Sequence, residues 1–72
     1  MTSQFNENDI RVTVAFMNLL VDLHPEHNVA ACMEELNKIL EPMDWQLISV
    51  DSDIRNGQPY VMDVYVVEFD NS

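Results

Sequence analysis

Two histidines three apart, His24 and His27, flank Pro25 and Glu26. Imidazoles at this spacing share a metal ion when both rings point the same way, and a working site usually adds a third ligand. The nearest candidate, Cys32, falls on an apolar helical stripe. The pair therefore reads as helix-start and loop histidines, with no metal and no cofactor. Cys32 is the only cysteine, so no intrachain disulfide forms. It sits inside a helical pattern, with no base close in sequence to lower its pKa, and reads as an inert buried thiol. Gly57 is the only glycine, which rules out a glycine-rich phosphate loop, and no nucleophile-elbow string occurs. Catalysis is not expected.

Carboxylates dominate the remaining chemistry. Thirteen acids oppose three bases, for a formal net charge of −10. Arg11, Lys38 and Arg55 are scattered and build no basic patch, so direct nucleic-acid binding is disfavoured, as is an anionic membrane. Glu34, Glu35 and Glu41 lie largely off the apolar stripe of a helix, and Asp51, Asp53 and Asp63 gather near a hairpin tip. Carboxylates on rigid elements can engage the Arg and Lys that a nucleic-acid-binding protein offers its usual ligand. These six acids are the expected partner-binding set. A merely solvated, solubilising acidic surface is the alternative.

The element that positions the first three acids is the clearest in the chain. In Asn28–Leu40, Val29, Cys32, Met33, Leu36, Ile39 and Leu40 recur at i, i+3, i+4, i+7, i+10 and i+11, the stripe of an amphipathic helix. Its start is either His24-Pro25-Glu26, with proline in the first turn, or an Asn28 cap. Pro42 ends it. Glu34 precedes Lys38 by four residues, the favourable order for an ion pair.

The stretch Asp9–Leu23 is ambiguous. As a helix it places Ile10, Val14, Met17 and Val21 on one side, flanked by Phe16, Leu20 and Leu23. Arg11, Ala15, Asn18 and Asp22 then form a small-or-polar face opposite. As a strand, residues 10–17 alternate, with β-branched residues in favour, but Leu19-Leu20-Val21 breaks the alternation. The helical period covers the whole segment and is preferred. The expected fold is α+β: two antiparallel helices followed by a β-hairpin (ααββ), in one domain spanning residues 1–72. The alternative is βαββ, with residues 10–17 as a strand.

Trp45–Val50 and Tyr60–Phe69 read as the two strands, and Asn56-Gly57 as a type I′ turn. Uninterrupted pairing from that turn places Arg55 opposite Gln58, Asp51 opposite Met62, Ser49 opposite Val64 and Leu47 opposite Val66. One face then carries Trp45, Leu47, Tyr60, Met62, Val64 and Val66. The other carries Ile48, Val50, Val61, Tyr65 and Val67. Both are apolar and two helices cover only one, so the second set is the expected self-association face. Met1–Asn8 reads as a polar arm with Phe5 as an anchor and Asn6 or Asn8 as a cap. Residues 69–72 read as a polar tail.

A core of this size rarely supplies more than about 3–5 kcal/mol, and no disulfide or zinc pattern supplements it. A homodimer is the natural remaining route. The first residues lack the pattern of a signal peptide, and the lone thiol suits a reducing, cytoplasmic setting. In size and charge the chain is similar to the DNA-mimic and anti-defence proteins of phages, a likeness that no residue motif carries. The expected function is a small acidic protein-binding module, an inhibitor of phage or mobile-element type. It would mimic nucleic-acid charge and block a nucleic-acid-binding host protein through that protein's basic surface. The alternative is a structural or adaptor subunit that homodimerises or completes a partner's β-sheet.

Overall fold

The computed structural model describes residues 7–68, in the order α1 (Glu7–Leu23), α2 (Val29–Leu40), a 3-10 turn (Glu41–Met43), β1 (Trp45–Arg55) and β2 (Gln58–Glu68). The fold is ααββ, and the strand alternative for residues 10–17 does not occur. Tertiary burial decides that segment. As a helix it sends Met17 and Val21 into the core, fully buried, with Val14, Phe16 and Leu20 packed around them. The expectations for Phe5, Asn6 and the tail from Phe69 lie outside the described residues.

Between the helices, His24–Asn28 forms a turn rather than a helix start. The His27 amide donates to the His24 carbonyl at 3.1 Å, with His27 at φ 48°. Asn28 is the true N-cap, at φ −87°, ψ 105°; its side-chain oxygen accepts from the amides of Ala30 and Ala31 at 3.0 and 3.3 Å. Those amides have no intrahelical acceptor, which is why a short polar side chain fits there. Pro42 falls in the 3-10 turn. That turn closes on Asp44, held at φ 61° with its amide bonded to the Glu41 carbonyl. Lys38 forms no ion pair with Glu34.

The sheet is one antiparallel hairpin. Asn56 and Gly57 sit at φ 55° and 77°, the two positive values a type I′ turn requires. Register is as expected at both ends, with Arg55 opposite Gln58 and Leu47 opposite Val66. Between them it is displaced by one residue. Asp51 pairs with Asp63, Val50 with Val64 and Ser49 with Tyr65. Met62 is an extra residue on β2, and Ile48 is an extra residue on β1. The two bulges cancel.

The bulges decide which side chains enter the core. Simple alternation sends Val61 and Val64 to opposite faces. The extra Met62 brings both, with Val66, onto the buried side. On β1 the extra Ile48 puts Leu47 and Val50 on that same side, Leu47 buried and Val50 packed against the core. Of Val50 and Val61, both expected on the self-association face, Val61 is therefore a core residue and Val50 packs, partly buried, against the core. Tyr60 and Met62, expected beside Leu47 and Val64, are exposed instead. The core consists of Met17, Val21, Cys32, Leu36, Leu40, Leu47, Val61, Val64 and Val66.

At about 3.3 Å per residue an 11-residue strand reaches roughly 36 Å. The 17-residue α1 reaches about 26 Å at 1.5 Å per residue. The hairpin outruns the helices, and the molecule measures 44 × 21 × 15 Å. Residues 51–58 at the tip are all exposed.

Candidate functional site

The histidines do not converge. His24 Nε2 lies 3.3 Å from Glu35 Oε2. His27 Nε2 lies 3.2 Å from the Gln58 amide nitrogen, a donor, so His27 accepts there. Among the described residues no three His, Cys, Asp or Glu side chains are grouped to hold a metal. Cys32 is fully buried, and that burial, with Glu35 adding to it, pushes its thiol above the ordinary value. A neutral, buried thiol is a poor nucleophile.

The six acids divide into two places. Glu34, Glu35 and Glu41 lie exposed on α2 and the turn after it, and Glu35 is the one that meets His24. Asp51, Asp53 and Asp63 lie on the face of the hairpin turned away from the helices. Asp51 and Asp63 stand directly across from one another. The Tyr65 hydroxyl donates to Asp51 Oδ2 at 3.2 Å. That bond, then the charges of Asp51 and Asp63, raise the Tyr65 pKa above its ordinary value. Asp53 pairs with Tyr60, over whose ring the Arg55 guanidinium stacks at 4.3 Å.

The structure thus merges two surfaces that the sequence kept apart. Of the expected self-association set, Ile48 and Tyr65 are exposed and Val67 is half-buried on this open face. The hairpin carboxylates lie among them, with Tyr60 and Met62 added. The result is a mixed strip along the hairpin in which Ile48, Tyr60, Met62 and Tyr65 lie among Asp51, Asp53 and Asp63.

Three outward-facing positions on the hairpin edges, Val61, Leu47 and Ile54, are capped by the chain's own side chains. A strand residue directs its N–H and C=O to the same side, toward its partner or away from it. Val61 directs both away from β1, and the Asn18 side chain meets them: its amide donates to the Val61 carbonyl at 3.2 Å, and its oxygen accepts from the Val61 amide at 2.8 Å. On β1 the Leu47 amide donates to Asn37 Oδ1 at 3.1 Å. Nearer the tip, the Ile54 amide donates to Asp53 Oδ1 at 2.8 Å, and Pro59 opposite has no N–H. Each helix contributes one asparagine to the nearest strand edge. Asn18, placed by sequence on the small-or-polar face of α1, is a docking residue instead. Its only sequence signal was an amide among otherwise small or charged neighbours.

No protein-family model, curated protein or solved structure matches the chain. Among the described residues no helix is long and apolar enough to cross a membrane.

Proposed function

We propose that this chain is an acidic protein-binding module whose open hairpin face engages the basic surface of a nucleic-acid-binding protein. In this reading it acts as an inhibitor of the kind that phages and mobile elements encode. The observation that carries it is the directly opposed pair Asp51 and Asp63. Like charges facing each other across a strand pair cost stability, by roughly 0.2–1 kcal/mol. A cation between them reverses that cost. Arginine suits the place well, since its fork binds carboxylates and its plane stacks on aromatic faces such as that of Tyr65. The net charge of −10 steers a basic partner toward the chain and repels nucleic acid.

The adaptor reading, in which the hairpin completes a partner's sheet, is weaker. Asn18, Asn37 and Asp53 occupy the outward amides of Val61, Leu47 and Ile54, and Pro59 has none, which removes four of the edge positions that strand addition uses.

The test uses the immobilised protein and a host lysate, eluted first at low and then at high salt. The expected result is a basic nucleic-acid-binding protein, released by salt, displaced by DNA or RNA, and lost with the Asp51→Asn/Asp63→Asn double variant. Capture that is indifferent to salt and to that double variant refutes the reading.

A further inference from the structure

The caps on the edge of β1 leave a gap between them. Asn37 holds the Leu47 amide and Asp53 the Ile54 amide. Ser52 lies between, directly opposite Val61. Residues that face each other across an antiparallel pair turn their backbone groups the same way, both inward or both outward. Val61 turns outward to Asn18, so Ser52 turns its N–H and C=O outward on the other edge. The Ile54 carbonyl, two residues on, points the same way. Among the described residues no side chain or helix backbone bonds to the outward groups of Ser52. An open edge of this kind is a template for another strand.

The gap opens onto a groove between β1 and α2. One cavity of about 580 Å³ is bounded by Ser52, Asp53 and Ile54 on the strand side and by Glu26 and Val29 opposite. A second, of about 270 Å³, follows between Leu47 and the α2 residues Met33, Glu34 and Asn37. The edge from Leu47 to Ile54 runs about 20 Å at 3.3 Å per residue once the bulge at Ile48 is discounted, the length of about six extended residues. We infer that this groove binds an extended, lysine- or arginine-bearing segment of a protein partner, which adds to β1 at Ser52. This second contact presupposes the basic partner proposed above. The flanking caps confine the addition to a few residues, so a short segment fits where a full partner strand does not.

Charge selects the occupant. Glu26 and Asp53 line the larger cavity and Glu34 the smaller, and neither wall contains a lysine or arginine. Arg55, next to Ile54, is stacked over the Tyr60 ring, and Lys38 lies outside both walls. Two groups work the other way. The N-terminus of α2 brings about half a positive charge, and His27 lines the larger cavity with its Nε2 engaged by Gln58. Three full carboxylates outweigh the half charge and the single imidazole. Alternate side chains of an added strand point to opposite faces. One set meets Val29 and Met33, which pack against the core and are only partly covered by it. The other set meets the open hairpin face beside Asp53, whose Oδ1 the Ile54 amide fixes at the edge. Asp53 thereby joins the groove to the acidic face.

The test adds an end-capped hexapeptide of alternating lysine and valine to the isotope-labelled full chain and follows it by NMR. The expected result is slowed hydrogen exchange at the Ser52 amide, with resonance shifts at Ser52, Val29 and Met33 as the complex forms. The same peptide, N-methylated at the one amide that pairs with Ser52, should bind roughly threefold to tenfold more weakly, the value of one backbone hydrogen bond. Ser52→Pro removes only the outward N–H, a place where an edge strand tolerates proline, so circular dichroism should show the fold retained. It should weaken binding by a similar factor. Glu26→Gln/Glu34→Gln should weaken it more at low salt than at high salt. A peptide that does not bind overturns the inference. So does a peptide bound equally with and without the N-methyl group, or equally by the chain and a folded Ser52→Pro variant, since charge alone would then hold it. The N-methylated peptide decides the matter even where Ser52→Pro disturbs the hairpin. The Asp51→Asn/Asp63→Asn variant leaves Ser52, Glu26 and Glu34 in place and should still protect Ser52 with this peptide. Loss of partner capture and loss of groove binding are therefore separate results.

Discussion

Both faces of the hairpin carry large apolar side chains, and those side chains have opposite fates. Toward the helices stand Leu47, Val61, Val64 and Val66, all buried. Away from them stand Ile48, Tyr60, Met62 and Tyr65, all exposed. Hydrophobicity does not separate the two sets. Their difference is charge, since Asp51, Asp53 and Asp63 lie on the open face, with Asp51 and Asp63 opposed at its centre, and no charged residue lies among the four buried ones. Burying that acidic pair unpaired would be prohibitive, so the carboxylates keep the open face toward water or toward a cation. The helices settle on the face that has none.

The largest expected effect breaks this asymmetry outright. Val64→Asp places an unpaired carboxylate in the core, a change worth more than about 4 kcal/mol and comparable to the whole stability of so small a domain. Thermal circular dichroism should show no cooperative transition. Met62→Asp, two residues away on the same strand, should leave the melting transition within the equivalent of about 0.5 kcal/mol. If the bulges were absent, Met62 would share the buried side with Val64, and the two variants would behave alike.

This contrast also marks what the sequence made legible. The α2 stripe, the Asn56-Gly57 turn and the ααββ order could be read from periodicity and turn chemistry, because each is local. The pairing next to the turn was legible for the same reason, since a two-residue turn fixes register outward from it, and the far end agrees with that register because the two bulges cancel. The middle was not. A bulge adds one residue without a composition signal, and two that cancel leave the strand ends unchanged. Simple alternation consequently sends Val50 and Val61 to the open face, and Tyr60 and Met62 to the closed one. Asn18 was illegible for a different reason: its partner, the Val61 backbone, is 43 residues away.

Asn18 offers the next test, because it ties α1 to the edge of β2. Asn18→Ala leaves the Val61 amide and carbonyl without partners in a partly buried place, at about 1–3 kcal/mol. Asn37→Ala removes one bond, to the Leu47 amide, and should cost less in urea unfolding. Equal costs would mean that water replaces Asn18 at the edge.

A smaller effect has the opposite sign. Asp63→Asn removes the like-charge confrontation with Asp51 and should stabilise the free chain by roughly 0.2–1 kcal/mol at low salt. The gain should shrink as salt rises. The same variant should bind the basic partner less well. Loss of stability together with loss of binding would show that Asp63 supports the fold rather than storing repulsion for a ligand.

The smallest effect is a shift in titration. The hydrogen bond from Tyr65 to Asp51 and the charges of Asp51 and Asp63 favour the protonated phenol, raising its pKa above the ordinary value near 10. A proton held more tightly in the folded state favours folding fully below the unfolded pKa. That contribution fades as pH rises through the folded value. Tyrosinate absorbance should therefore show a late-titrating component that Tyr65→Phe deletes and Asp51→Ala moves to lower pH. Saturating the protein with an arginine-rich peptide should move it the same way, because guanidinium groups neutralise the two carboxylates that raise it. A peptide that binds tightly yet leaves the Tyr65 titration in place would be binding elsewhere, with α2 and its Glu34 and Glu35 as the next surface to change.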